Sequence, residues 1–321
     1  MNSVNKDIAN ERRAKLKDSL EKLTQSPTIT NKEIKRMFNF DFPSSIIVTM
    51  ANGILNVAID SDDKTEAGVK YELDTWAFAL MSKLNSKIKN INFYIFWRQN
   101  YEQLLKTKWF YLFMIRLSYL NNHRPKDFEF NVCTIQYELQ VAKKRPIHNW
   151  IDIVENISFD NIYKPDQLNE RRNKSKHSEE DAEQNEIIKN LQIKYPSAFI
   201  FKEFPIFFSD LPNYKKCGNR IDIMFADEKN NIIIEVKVGL IDLEVASQIL
   251  NYYIFTICHR NCFEIQDWEH IKGDKEISCI ILCKRKHPML DELLKMYGQF
   301  GFNKIKVIEK TSQGYPGFII Y

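Results

Sequence analysis

The sequence predicts an α/β protein built as two domains. A mixed α/β domain spans residues 1–164, a polar linker covers 165–181, and a second mixed sheet flanked by helices fills 182–321. Three observations carry this reading. The chain has 321 residues, 44% of them apolar, enough to bury more than one core. Short apolar runs of strand length alternate with longer amphipathic stretches in both halves. Between Lys164 and Asp181 the run KPDQLNERRNKSKHSEED has almost nothing to bury, which is the chemistry of a solvated connection.

In the first half, residues 6–25 carry apolar marks at Ile8, Leu16, Leu20 and Leu23, a charged amphipathic helix. SIIVTMANGILNVAID predicts a β-hairpin, because Asn52-Gly53 suits a two-residue type I′ turn. Residues 71–88 predict a helix, INFYIFWR a buried strand, residues 100–120 an aromatic helix, and FEFNVCTIQYELQVA one long strand. The aromatic-basic block from Phe93 to Phe113 could stack bases, but aromatics at strand and helix periods predict core. No internal repeat is visible.

In the second half, SEEDAEQNEIIKNLQIKY predicts a helix capped by Ser178, with acids in its first turn. A strand over AFIFKEFPIFF follows, then a loop through Pro212 and Gly218, then two strands around a turn at Asp227–Asn231. DLEVASQILNYYIFTICHR predicts a helix capped by Asp242. EISCIILCK and KIKVIE predict strands, with the helix PMLDELLKMYGQF between them. The order is α-β-β-β-α-β-α-β, an α/β sheet with a meander at its start.

The chemistry lies in RIDIMFADEKNNIIIEVKVG, residues 220–239. Burying a charge without a partner is costly, so an aspartate inside one apolar run and a glutamate and lysine ending the next call for a reason. With the turn at 228–231, Asp222 and Glu235 meet on neighbouring strands. Two close carboxylates repel unless a cation lies between them. Magnesium prefers carboxylate oxygens and keeps waters for a substrate phosphate. Glu235 and Lys237 are two apart on a strand and share a face, which sets an ammonium beside the metal. Together these parts describe metal-assisted phosphodiester hydrolysis.

Asp222, twelve intervening residues and then Glu235-Val236-Lys237 resemble the motif of the PD-(D/E)xK nuclease superfamily. Gln248-x3-Tyr252 on the next helix is similar to the Gln-x3-Tyr of one branch, and RIDI…IIIEVKVG…EVASQILNYY looks most like NucS-type DNA endonucleases. The resemblance covers residues 178–321. It implies a restriction-endonuclease-like mixed sheet in which Asp222 and Glu235 bind Mg²⁺, with Mn²⁺ able to substitute, helped by the Val236 carbonyl. It places a further glutamate on the preceding helix. Glu180, Glu183 and Glu186 are the candidates, and Glu183, one turn before Ile187 and two before Leu191, is the favoured one. Lys237 would assist the attacking water and Gln248 would orient it or the phosphate. Arg220 reads as a partner of Asp222 or an ordinary salt bridge. Such enzymes leave a 5′-phosphate and a 3′-hydroxyl. The implied partner is DNA, the implied assembly a homodimer, and the first domain would recognise substrate or dimerise. Cleavage of RNA, activation by a ligand on the first domain, and an inactive nucleic-acid-binding module of the same fold stay open.

The rest of the composition narrows the class. Nine glycines argue against a Gly-rich nucleotide-binding design. The longest apolar window, WFYLFMIRLSYL, contains an arginine and falls short of the ~20 residues of a membrane span, and the N-terminus has no apolar leader. The expectation is a cytoplasmic protein with no membrane partner. Residues 1–165 hold 24 Lys and Arg against 19 Asp and Glu, a mild surplus that suits either a grip on phosphates or an ordinary surface. Six cysteines fit reduced thiols; the Cys258/Cys262 and Cys279/Cys283 pairs are wider than zinc knuckles and read as buried apolar residues. Asp127 and Glu138-Leu139-Gln140 imitate the motif without its lysine, and Glu138 reads as an exposed strand residue.

Overall fold

Apolar runs and amphipathic stretches alternate along this chain, and its strands assemble into two mixed sheets. The computed structural model describes residues 3–61, 72–84, 88–97, 101–105, 107–136, 141–147, 150, 179–206, 219–260, 270–271, 273–312, 314–316 and 318. Ser178, Glu138, Cys217, Cys262, the loop through Pro212 and residues 165–178 of the predicted linker lie outside them. The chain divides into two units, Met1–Trp150 with Lys295–Gly301, and Ile151–Leu294 with Phe302–Tyr321.

The first unit opens with helix α1 (Ser3–Thr24), strand β1 (Thr28–Ile29) and helix α2 (Asn31–Phe38). Strands β2 (Ile46–Ala51) and β3 (Ile54–Asp60) form the predicted hairpin, with Asn52 and Gly53 at φ 53° and 78° as a type I′ turn requires. Helix α3 (Glu72–Leu84), strand β4 (Asn90–Trp97), helices α4 (Tyr101–Leu105) and α5 (Lys108–Asn122), and strands β5 (Glu129–Gln136) and β6 (Val141–Arg145) follow. Two predictions are corrected. The single helix over 100–120 is two, because Thr107 takes an extended conformation and its hydroxyl bonds the Leu104 carbonyl. The long strand from Phe128 is two strands folded back on each other, with Gln136 opposite Val141.

The sheet order is β1-β2-β3-β4-β5-β6, with β3, β4 and β5 parallel and the other neighbours antiparallel. Leu16 and Leu20 of α1 pack on Ile47, Ala58, Phe96 and Ile135 on one face. Phe78 of α3 and Phe113 of α5 meet Phe130 and Phe93 on the other. Trp97, Trp109, Phe110 and Tyr111 are buried, so the aromatic block is core. Arg116, fully buried, makes a paired hydrogen bond to Asp74 at 2.6 and 2.7 Å and ties α5 to α3. Lys295–Gly301, predicted to belong to the second domain, completes this core instead: Tyr297 and Phe300 pack on Phe78, and Phe300 also on Phe128 and Phe130.

The second unit runs α6 (Glu179–Lys194), β7 (Phe199–Ile206), β8 (Asn219–Ala226), β9 (Asn230–Leu240), α7 (Glu244–His259), β10 (Glu276–Arg285), the first half of α8 (Leu290–Gln299), whose residues from Lys295 belong to the first unit, and β11 (Ile305–Glu309). Its order is β11-β10-β9-β8-β7, antiparallel from β7 to β9 and parallel from β9 to β11. Glu179–Asp181, the end of the predicted linker, are the first turn of α6. Ile187 and Leu191 of α6 pack on Ile223, Phe225, Ile232, Ile234, Val236, Ile280, Leu282 and Ile308. Asp242 is not the cap of α7. Buried Ile241 and Leu243 set where that helix begins, Leu243 holds the cap position, and Asp242 is exposed.

Omitting α2, α4 and β6, the first unit repeats the second: a leading helix, a three-stranded antiparallel meander, then two helix-and-parallel-strand additions in the same order. The sequence showed no repeat because strand register and direction, not residue identity, are what the halves share.

Candidate active site

The site is built where β8 leaves β9. The ladder between them runs from Ala226–Asn231 to Ile223–Ile234. One step further, Asp222 and Glu235 face each other. The Val236 N–H donates to Asp222 Oδ2 at 2.7 Å, so a carboxylate takes up the ladder's next donor. Asp222 is buried and Glu235 fully so. Lys237 Nζ forms an ion pair with Glu235 Oε1 at 2.6 Å, and Glu235 Oε2 has no hydrogen-bond partner among the described residues.

Electrostatics follow from this burial. Burial pushes Asp222 up to about 6; Lys237 and the Val236 N–H oppose the shift, and Glu180 and Glu203 add to it. Burial, then the Asp222 charge, raises Glu235 well above the usual carboxylate range. Burial works against the Lys237 ammonium, but Glu235 and Asp222 beside it outweigh that and raise its pKa. The centre holds a firm cation next to two carboxyl groups that resist ionising together.

The acid that α6 brings to this centre is Glu180. Lys237 Nζ donates to Glu180 Oε1 at 3.1 Å. Glu183 is turned elsewhere, accepting from Lys310 Nζ at 2.6 Å, which corrects the favoured choice from sequence. Gln184, Ile187 and Leu191 form the buried stripe of α6, and Glu180 continues it one turn toward the N-terminus. Glu186 is exposed, off the buried stripe of α6.

Glu203 was not visible as a site residue. The β7–β8 register steps from Lys202–Ile223 to Phe204–Ile221, leaving Glu203 between them at the level of Asp222. Its φ is 56°, in the left-handed region. Arg220 Nη1 donates to Glu203 Oε2 at 3.3 Å, so Arg220 serves this glutamate. A backbone angle has no signature in KEF, and only Arg220, two residues before Asp222 on the same face, hinted at it.

Gln248 Nε2 donates to the Tyr252 hydroxyl at 2.7 Å on α7, the helix that follows β9. No hydrogen bond links Gln248 to Asp222, Glu235 or Lys237. Among the described residues there is no group of three or more His, Cys, Asp or Glu side chains placed to hold a metal ion, and Cys279 and Cys283 are buried free thiols. A cation at the centre would therefore rest on two carboxylates, Asp222 and Glu235, with the Val236 carbonyl. The fully buried Glu235 Oε2, without a hydrogen-bond partner, fits that role, and Mg²⁺ is commonly held by one or two carboxylates with waters and substrate phosphate completing its shell.

No protein-family model, curated protein or solved structure matches this chain. Among the described residues no helix is long and apolar enough to cross a membrane.

Proposed function

We propose that the second unit is a Mg²⁺-dependent phosphodiesterase acting on nucleic acid, with DNA as the substrate that the motif's resemblance favours. The observation that carries this reading is the fully buried Glu235 carboxylate, ion-paired to Lys237 through one oxygen and unpartnered at the other, beside the facing Asp222. With one oxygen beside Lys237, the carboxylate leaves its other oxygen open to a ligand from outside the chain.

Asp222, Glu235 and the Val236 carbonyl would hold the cation. When bound, it supplies a Lewis acid for a phosphoryl oxygen and a more acidic water. Lys237, whose ammonium the neighbouring carboxylates favour, serves as a hydrogen-bond donor that orients the attacking water or stabilises charge on the phosphate. Glu180 fixes the ammonium from the α6 side. The Gln248 amide, held by Tyr252, is the residue proposed to orient phosphate.

The test is cleavage of plasmid, single-stranded DNA and RNA with Mg²⁺, Mn²⁺ or EDTA. Asp222→Asn, Glu235→Gln and Lys237→Met should each slow cleavage by ~100-fold or more, the scale of losing one stabilising group in a water-poor site. Glu183→Gln should leave it within a few-fold, and Glu180→Gln should not. A chain inert toward all three substrates with either metal overturns the reading.

A further inference from the structure

The repeated topology lets the two sheets be compared position by position. In each unit the leading helix marks one face of the meander. Leu16 and Leu20 of α1 lie on Ile47 and Ala58, a register pair of β2 and β3. Ile187 and Leu191 of α6 lie on Ile223 and Ile234, a register pair of β8 and β9. One step toward the C-terminal end of the central strand, on the opposite face, the second unit has Asp222 and Glu235. The first unit has Ile46 and Ile59 there, themselves a register pair and 1% and 0% exposed. Shifting the match by one pair on that face brings Val48 and Val57, equally apolar.

Among the described residues the remaining counterparts are missing too. Two residues past Glu235 stands Lys237; two past Ile59 stands Ser61, whose hydroxyl donates to the Phe96 carbonyl at 2.7 Å. Glu180 precedes Ile187 by seven residues, and the residue seven before Leu16 is Ala9. Asp60, the acid of β3, belongs to the face that α1 covers and matches Val236, not Glu235.

We infer that the first unit is a silenced copy of the catalytic fold, so that each chain carries one cleavage centre and cuts one strand of a duplex per encounter. This rests on the proposed phosphodiester hydrolysis: a water oxygen bonds phosphorus, the P–O3′ bond breaks, and O3′ leaves with a proton as a hydroxyl. Water is the only co-reactant. A single centre presents one such set of groups to one strand, and Ile46, Ile59 and Ser61 offer no second.

The experiment treats supercoiled plasmid with the full chain at fewer than one chain per plasmid, and titrates Mn²⁺ onto the wild-type and Glu235→Gln chains. The expected result is nicked circle as the first product, slowed ~100-fold by Glu235→Gln, with one class of Mn²⁺ site that the substitution removes. Linear DNA as the first product, a second Mn²⁺ class that survives Glu235→Gln, or cleavage by that variant at close to the wild-type rate overturns the inference while leaving the phosphodiesterase reading intact. A wild-type chain that neither binds Mn²⁺ nor cuts overturns the phosphodiesterase reading and the inference with it. Circular dichroism of Glu235→Gln separates a lost site from a lost fold.

Discussion

Keeping a carboxylate ionised away from water costs on the order of several kcal/mol, and Glu235 and Asp222 are buried side by side, with one backbone donor on Asp222 and one ammonium beside Glu235. The consequence can be measured on Asp222. Its folded value of about 6 lies above the ~3.9 of an unfolded aspartate, so folding takes up a proton between those values. The stability this contributes is complete below the unfolded value and is lost as pH rises through the folded one. In EDTA the chain should therefore gain stability on the order of 1 kcal/mol from Asp222 at pH 5 relative to pH 8, a gain absent from Asp222→Asn. Denaturant melts at the two pH values measure it; an identical slope in the variant would refute the assignment. At this scale the site was largely legible. Asp222, Glu235 and Lys237 could be found because strand parity puts i and i+2 on one face. Glu180 and Glu183 both flank the buried stripe of α6, and the choice between them was made by Lys237 and Lys310, which come from other strands.

At the scale of elements, the centre depends on irregularities in regular structure. β8 stops pairing with β9 at Asp222, and β7 carries Glu203 in a left-handed conformation at the same level. For a residue with a Cβ that conformation costs ~1 kcal/mol or more, and such outliers gather at functional sites. Glu203→Gly relieves the backbone and also removes a negative neighbour that raises Asp222. The expected outcome is a thermal midpoint above wild type, equivalent to about 0.5–1 kcal/mol, together with a lower Asp222 pKa. A lower midpoint would mean that the carboxylate, through Arg220, stabilises the fold by more than the strained backbone costs. Sequence disclosed the elements that rest on local chemistry, such as the Asn52-Gly53 hairpin and the apolar strand before Glu235. It did not disclose the Thr107 break or the fold-back after Gln136, which are settled by pairing and packing across the sheet.

For the whole molecule, the two units share a topology that no residue pattern revealed, and one borrows a segment from the other's end of the sequence. Tyr297, Phe300 and Gly301 lie close in the chain to the second unit's strands, so reading along the sequence assigned them there. Their physical place is the first unit's core, where Tyr297 and Phe300 are buried against Phe78 and the Tyr119 hydroxyl donates to the Gly301 carbonyl at 3.0 Å. Gly301 has φ 85°, and a Cβ on it would come within 2.7 Å of His123, so this join accepts only glycine. Each buried aromatic contributes ~1.5–3 kcal/mol of burial, and a domain's whole stability is about 5–15 kcal/mol. A fragment of residues 1–150, cut at the natural-looking end of the first unit, thus lacks a share of its core comparable to its net stability and leaves Phe78, Phe128 and Phe130 without their partners. It should bind a hydrophobic dye and melt without a cooperative transition, whereas the intact chain melts cooperatively. A fragment that unfolds as sharply as the intact chain would show that Lys295–Gly301 decorates the first unit and does not complete it.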